Sequence, residues 1–134
     1  MTMKINTAEE FKKYVESDDD VEFSKTQWEA SDNVWFSVLE KCPELSRSVA
    51  FNNTIPMSVL DRLSESNDWM TRCDVAMKRR ISREIFERLS LDPESAVRKR
   101  IALNPRVPGD ILARLAVDQD ESVAEAAKER LGRK

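Results

Sequence analysis

Apolar residues recur along the chain with a fixed period. The segments IPMSVLDRL, ISREIFERL and VPGDILARL begin at residues 55, 81 and 107, so they superpose at a spacing of 26 residues. A second series, VAFN, VAMK and IALN, begins at residues 49, 75 and 101 with the same spacing. A period of this length is typical of stacked structural repeats.

Each repeat contains two helical patterns. Ile85, Phe86 and Leu89 are spaced i, i+1, i+4, which places them on one face of a helix. Val97 and Ile101 form the apolar stripe of a second helix. Because helices this short are marginal alone, each must bury its stripe against a neighbour. The pattern predicts an all-α fold: a short α-solenoid of about four two-helix repeats with a period of about 26 residues and an N-terminal capping helix.

Proline and serine mark the predicted helix ends. Asn104 precedes Pro105, which disfavours helical backbone at Asn104 and ends one helix there. Pro108 has the φ angle that a first helical turn requires, and Ser82 is a preferred N-cap residue. The chain holds only two glycines, which weighs against a fold rich in hairpins.

The length of 134 residues suits one core, so we expect a single domain over 1–134. Within it, residues 1–31 form an N-terminal cap segment and residues 32–131 form the helical repeats. Thr7 begins a capping-box pattern that predicts a helix over about 8–17.

The stretch LSLDPESAVRKRIALNPRVPGDILARLAVDQDESVAEAA, residues 89–127, resembles the bacterial leucine-rich repeat variant family and, more distantly, HEAT-like repeats. The likeness covers residues 45–131. It implies short helices stacked on a curved scaffold. Some members of that family carry an N-terminal cysteine cluster for an iron–sulfur centre. This chain lacks those cysteines, so no cofactor is expected.

The composition excludes several kinds of chemistry. The chain has no histidine, which removes histidine general bases and the Ser-His-Asp and Cys-His nucleophile systems. Cys42 and Cys73 have no CxxC spacing, so buried free thiols are favoured over a disulfide or a metal site. We therefore expect a protein that is not an enzyme. No signal-peptide pattern or long apolar run is present, which predicts a cytoplasmic protein without a membrane segment.

An acidic run precedes the repeats. Asp18, Asp20, Glu22 and Glu29 follow the spacing of an EF-hand calcium loop, but Phe23 stands where that loop needs glycine. A solvated acidic loop or an acidic patch that contacts a partner is favoured over calcium binding, and no bound metal is expected.

Three tryptophans are candidates for the core or for an interface. Trp35 lies in the apolar run VWF and is expected in the core. Trp69 follows a helix-start signal and is expected to be either an exposed interface residue or partly buried. The position of Trp28 stays open between core and surface.

Charge is divided along the chain. Residues 1–68 hold seven Lys or Arg against 14 Asp or Glu, whereas residues 69–134 hold 15 against 11. Arg72 and Arg98 lie one period apart and are expected to share a face, which would hold phosphate or an acidic protein unless glutamates neutralise it. The full candidate basic face is Arg72, Arg79, Arg80, Arg98, Lys99 and Arg100.

These features favour a non-enzymatic, protein-binding helical-repeat module, because stacked repeats offer a surface that is ordered before binding. The most concrete hypothesis is a small bacterial immunity protein that binds and neutralises a toxin with a basic domain, as a monomer or weak dimer. The candidate contact residues are Asp18, Asp19, Asp20, Glu22, Trp28 and Trp69. A regulatory adaptor and a nucleic-acid-binding HEAT-like protein are the alternatives. A sequence pI near 5.2 weighs against the latter.

Overall fold

Ten α-helices make up most of residues 3–132, the part of the chain that this computed structural model describes. In chain order they are α1 (Ala8–Val15), α2 (Asp20–Ser24), α3 (Asp32–Lys41), α4 (Ser46–Phe51), α5 (Met57–Leu63), α6 (Trp69–Ala76), α7 (Arg83–Ser90), α8 (Ser95–Leu103), α9 (Gly109–Leu115) and α10 (Glu121–Gly132). Two short strands, β1 (Lys4–Ile5) and β2 (Glu29–Ala30), pair in parallel. Short 3₁₀ turns cover Lys25–Gln27 and Pro43–Leu45. The predicted all-α class is confirmed.

The chain forms two compact units, one ending at Leu63 and the other beginning at Ser64. The core of the first unit contains Phe11 and Trp35, whose rings meet edge to face with centroids 5.2 Å apart. Both side chains are fully buried, so the expectation that Trp35 belongs to the core is confirmed. The single domain over 1–134 stays a prediction.

Helix α1 begins where the capping-box pattern predicts. Thr7 Oγ1 accepts a hydrogen bond of 3.0 Å from the Glu10 backbone N–H, and Glu10 Oε1 accepts one of 3.2 Å from the Asn6 backbone N–H. The helix ends at Val15, two residues before the predicted end. The hydroxyl of Ser17 instead accepts a hydrogen bond from the Asp19 backbone N–H and begins the next turn.

The predicted apolar stripes are buried. They are Val59, Leu60 and Leu63 on α5, Ile85, Phe86 and Leu89 on α7, Val97 and Ile101 on α8, and Ile111, Leu112 and Leu115 on α9. Two predicted helix boundaries hold in the second unit, but Pro108 is the N-cap of α9, with ψ at 142°, and lies one residue before the first turn. Ser82 caps α7 by accepting the Ile85 N–H at 3.2 Å, and α8 ends at Leu103, immediately before Asn104.

Polar contacts in the second unit repeat with the sequence period. The Asn104 side-chain amide donates to the carbonyls of Ala76 and Lys78, both at 2.8 Å. Arg130 lies 26 residues further on, and its guanidinium donates at 3.5 Å to the Ala102 carbonyl and at 2.7 Å to the Asn104 carbonyl. Equivalent positions therefore bond to equivalent backbone groups of the preceding turn.

The first unit contains the same arrangement. The Asn52 side-chain amide donates to the carbonyls of Thr26 and Trp28 at 2.7 and 2.9 Å. Asn52 is fully buried, so these bonds satisfy donors that would otherwise be costly to bury. Across residues 3–132, no helix combines the length and apolar character needed to cross a membrane.

Candidate functional site

The candidate site is the acidic segment, defined as residues 18–23. Asp19 precedes α2 and caps it, because its Oδ1 accepts the backbone N–H groups of Val21 at 2.8 Å and Glu22 at 3.0 Å. Asp18 and Asp20 are exposed and lie at the N-terminal end of the same helix. Their charges are favourable there, since a helix N-terminus carries partial positive charge.

Two apolar side chains project from the acidic segment. Val21 is 69% exposed and Phe23 is 52% exposed. No residue of α2 is buried, so this short helix contributes nothing to the core. Exposed apolar side chains offer area that a protein partner can bury on contact.

Glu22 of the acidic segment and Trp28 both interact with Lys25. Glu22 Oε1 accepts a hydrogen bond of 3.0 Å from Lys25 Nζ. That ammonium lies 5.5 Å from the ring centroid of Tyr14 and 5.3 Å from that of Trp28, close enough for cation–π attraction. The hydrogen bond to Glu22 is the main reason that the pKa of Lys25 is raised.

Trp28 is half-buried and packs edge to face on Tyr14, with centroids 6.0 Å apart. The structure thus brings Trp28 together with the acidic run. Trp69 belongs to the second compact unit, where it is 42% exposed.

The donor geometry for calcium is not assembled in residues 3–132, where no three Cys, Asp or Glu side chains are close enough to hold a metal ion. Glu29, the twelfth position of the loop pattern, lies in β2 and pairs with Lys4. Glu29 therefore does not close a loop around the aspartates.

The candidate basic face needs a correction at two positions. The Arg72 guanidinium donates to both carboxylate oxygens of Asp92, at 2.7 and 3.1 Å, and to the Ser66 carbonyl at 2.7 Å. Arg98 repeats this pattern, donating to Asp118 at 2.8 and 3.1 Å and to the Asp92 carbonyl at 2.7 Å. Both arginines are thus paired with aspartates inside the chain rather than with glutamates, the neutralising partners that the sequence suggested.

The other four members of the candidate basic face, Arg79, Arg80, Lys99 and Arg100, are exposed. Within the described residues none of them makes an ion pair. Elsewhere in the second unit, Arg83 pairs with Glu87 and Asp110, and Arg114 pairs with Glu87 at 2.6 Å. Neither Arg83 nor Arg114 belongs to the candidate basic face.

The buried cysteine, Cys73, is not an activated nucleophile. Both cysteines are free thiols; Cys73 is buried and Cys42 is partly exposed. Burial is the largest influence on Cys73 and raises its pKa, so the unreactive thiol form dominates at neutral pH. No protein family, curated protein or solved structure matches this chain.

Proposed function

We propose that the protein is a non-enzymatic, protein-binding module that neutralises a bacterial toxin by binding a basic domain of it. The observation that carries the proposal is the exposure of Val21 and Phe23 beside three exposed aspartates. The aspartates supply long-range attraction for a basic partner, and the apolar side chains supply area to bury on contact.

The proposed scaffold is a short solenoid of about four repeats of the leucine-rich repeat variant or HEAT-like type. Two observations within the second unit support it: the paired contacts of Arg72 and Arg98, and those of Asn104 and Arg130, recur at 26 residues. A framework tied together in this way is ordered before binding, so association costs little conformational entropy.

Phe23 is the proposed apolar anchor, in place of the tryptophans that the sequence suggested. Trp28 already packs on Tyr14, whereas no residue of α2 is buried. A cytoplasmic location fits the free thiols of Cys42 and Cys73, since reducing compartments keep cysteines unpaired. The proposed oligomeric state is a monomer or weak dimer.

A nucleic-acid-binding role is the second candidate. It is favoured by Arg79, Arg80, Lys99 and Arg100, which are exposed and lack ion-pair partners among the described residues. The sequence pI of about 5.2 weighs against it, because binding to phosphates is dominated by net positive charge. A regulatory adaptor would use the same acidic segment on a different basic partner.

Capture of the partner from native cells tests the proposal. The wild-type protein and three variants are immobilised, and retained proteins are identified by mass spectrometry. Val21→Ser/Phe23→Ser and Asp18→Asn/Asp19→Asn/Asp20→Asn remove the apolar and charged parts of the acidic segment; asparagine keeps the cap on α2. Leu91→Ser/Val117→Ser is the matched control, since both residues are highly exposed in the second unit.

We expect the wild type and the control to retain the same basic protein and the two acidic-segment variants to lose it. The proposal would be contradicted if all four proteins retained the same basic protein equally, or if they retained only nucleic acid.

A further inference from the structure

A second surface with different chemistry lies on helices α6 and α8, which pack against each other in the second unit. We define the α6–α8 face by six residues: Trp69, Met70, Met77, Lys99, Arg100 and Leu103. Lys99 and Arg100 lie four and three residues before Leu103, so these three side chains share one side of α8. All six residues are exposed.

The apolar part of the α6–α8 face consists of four exposed side chains. Trp69, Met70, Met77 and Leu103 are between 40% and 56% exposed. Met77 follows the last residue of α6, and Leu103 is the last residue of α8, one period later. The two positions are therefore equivalent ends of neighbouring helices. Methionine suits such a surface, because its flexible side chain adapts to partners of different shape.

The charged part of the α6–α8 face is positive and unneutralised. Lys99 and Arg100 make no ion pair within the described residues, in contrast to Arg72 and Arg98, whose guanidinium groups are held by Asp92 and Asp118. The acidic residue on this side of α6, Asp74, is buried.

The positive charge of α8 lies beside α6. After burial, which raises the pKa of the Cys73 thiol, the largest influence on that group is the charge of Arg100, which lowers it. Arg100 of α8 thus lies close to α6, the helix that carries Trp69 and Met70 and packs against α8.

We propose that the α6–α8 face binds an acidic amphipathic helix of a partner protein. The apolar side of that helix packs on Trp69, Met70, Met77 and Leu103, and its carboxylates pair with Lys99 and Arg100. The partner helix presents its apolar anchors to this face at helical spacing. The inference rests on the proposed protein-binding role and adds a surface of opposite charge to the acidic segment.

A protein helix fits this face better than a nucleic acid. Single-stranded nucleic acids use aromatic side chains on which successive bases stack, and this face offers one aromatic ring, Trp69. Its other apolar groups are aliphatic or thioether side chains, which pack on leucine or phenylalanine but give bases little stacking surface.

Fluorescence anisotropy with defined probes tests the inference on the full-length protein. The acidic probe is a labelled synthetic peptide with Leu and Phe at positions i, i+3, i+4 and i+7 and Glu elsewhere. A second peptide replaces each Glu with Lys, and a single-stranded DNA oligonucleotide is the third probe. Lys99→Glu/Arg100→Glu reverses the charge of the face. Lys4→Glu/Lys13→Glu is the matched control, because both lysines are exposed and belong to the first unit.

We expect the acidic peptide to bind the wild type and the control equally, and the Lys99→Glu/Arg100→Glu protein to bind it about tenfold or more weakly. Trp69→Ala is expected to weaken it as well, by loss of apolar contact. The Lys peptide is expected not to bind this face. Circular dichroism and thermal unfolding of each variant show that the comparison is made on folded protein.

Three outcomes would overturn the inference. The first is that the acidic peptide does not bind, and the second is that the control variant loses as much peptide binding as Lys99→Glu/Arg100→Glu. The third is that the protein binds DNA instead of the peptide and that Lys99→Glu/Arg100→Glu abolishes this DNA binding. Sedimentation of the wild type tests whether a second copy of the chain occupies the face. The acidic segment of that copy combines carboxylates with apolar side chains, as the acidic peptide does. Salt-sensitive self-association that Lys99→Glu/Arg100→Glu removes would assign the face to a second copy and also overturn it.

The Val21→Ser/Phe23→Ser protein separates this inference from the proposed function. It is expected to bind the acidic peptide like the wild type, even though it loses the basic partner. If this variant loses the peptide, the result counts against the α6–α8 face as the peptide site and leaves the proposed function untouched. If it loses only the basic partner, the result concerns the acidic segment and leaves the α6–α8 face untouched.

Discussion

At the scale of single residues, buried polar side chains hold the backbone turns of the second unit. Asn104 is 2% exposed, and all its side-chain polar atoms are used. Its amide donates to the carbonyls of Ala76 and Lys78, and its Oδ1 accepts the Arg106 backbone N–H at 2.8 Å. One side chain thus links a turn to the equivalent turn of the preceding repeat.

Replacing Asn104 with alanine is expected to lower the free energy of unfolding by about 2–3 kcal/mol, because buried carbonyls and an N–H lose their partner. Asn67→Ala, at an exposed position, is the control and is expected to change it by less than about 0.5 kcal/mol. Urea unfolding measures both. Equal midpoints for Asn104→Ala and the wild type would show that these bonds do not stabilise the fold.

The ion pair between Arg98 and Asp118 makes stability depend on pH. The hydrogen bonds from Arg98 are the main reason that the pKa of Asp118 is lowered. A carboxyl whose folded pKa lies below its unfolded value of about 3.9 stabilises the fold above that pH. This stabilisation is lost as the pH falls through the folded pKa.

Asp118→Asn is therefore expected to lower the free energy of unfolding by about 1–2 kcal/mol at neutral pH, and the difference from the wild type should shrink below about pH 4. Asp110→Asn is the comparison, because Asp110 pairs with Arg83 on the exposed surface, where ion pairs contribute little. Denaturant unfolding at pH values from about 2 to about 7 measures the effect, because this range spans the titration of a carboxyl group. A difference that stays constant with pH would contradict the assigned pair.

At the scale of elements, the apolar stripe of each helix determines its packing. Leu89 of α7 is fully buried, and it is equivalent to Leu63 of α5 and Leu115 of α9 in the 26-residue register. Leu91, two residues further on, is 70% exposed. The two leucines therefore form a matched pair, with the same side chain in opposite environments.

Leu89→Ala is expected to lower the free energy of unfolding by about 2–5 kcal/mol, a large share of the stability of a small protein. Leu91→Ala is expected to change it by less than about 0.5 kcal/mol. Chemical unfolding of both variants checks the register. Similar midpoints for the two would mean that the assignment of core positions along α7 is wrong.

The helices and their buried faces were predictable because the signals are local. Periodic apolar residues, the cap at Ser82 and the break before Pro105 each act within one or two turns. The pairing of Arg72 with Asp92 was not predicted, since the partner lies 20 residues away. Arg72 and Arg98 lie 26 residues apart, and so do Asp92 and Asp118. This shared spacing was the signal that could have revealed the pairing.

At the scale of the whole molecule, each compact unit carries its own kind of exposed surface. The first unit has the acidic segment with Val21 and Phe23, and the second has the α6–α8 face with basic and apolar side chains. The division of charge along the sequence, seven basic against 14 acidic residues up to residue 68, predicted the sign of each. In both of our proposals, charged groups speed association and apolar groups slow dissociation.

The sequence shows the run of aspartates in the acidic segment, but it does not show that the apolar side chains beside them are exposed. An alternating stretch such as Asp20, Val21, Glu22 and Phe23 does not reveal whether other elements cover the apolar side chains. The structure shows that α2 has only five residues and that none of them is buried. The role that the sequence assigned to Trp28 is instead filled, in our proposal, by Phe23.

The rate of association with the purified basic partner, measured by stopped flow across salt concentrations, tests the central claim most directly. Two triple variants are compared with the wild type: Asp18→Asn/Asp19→Asn/Asp20→Asn and Arg79→Gln/Lys99→Gln/Arg100→Gln. We expect the aspartate variant to associate about tenfold or more slowly at low salt and to lose most of its salt dependence, with the basic variant within about twofold of the wild type. An effect confined to the basic variant would contradict the assignment of the acidic segment as the toxin-binding surface.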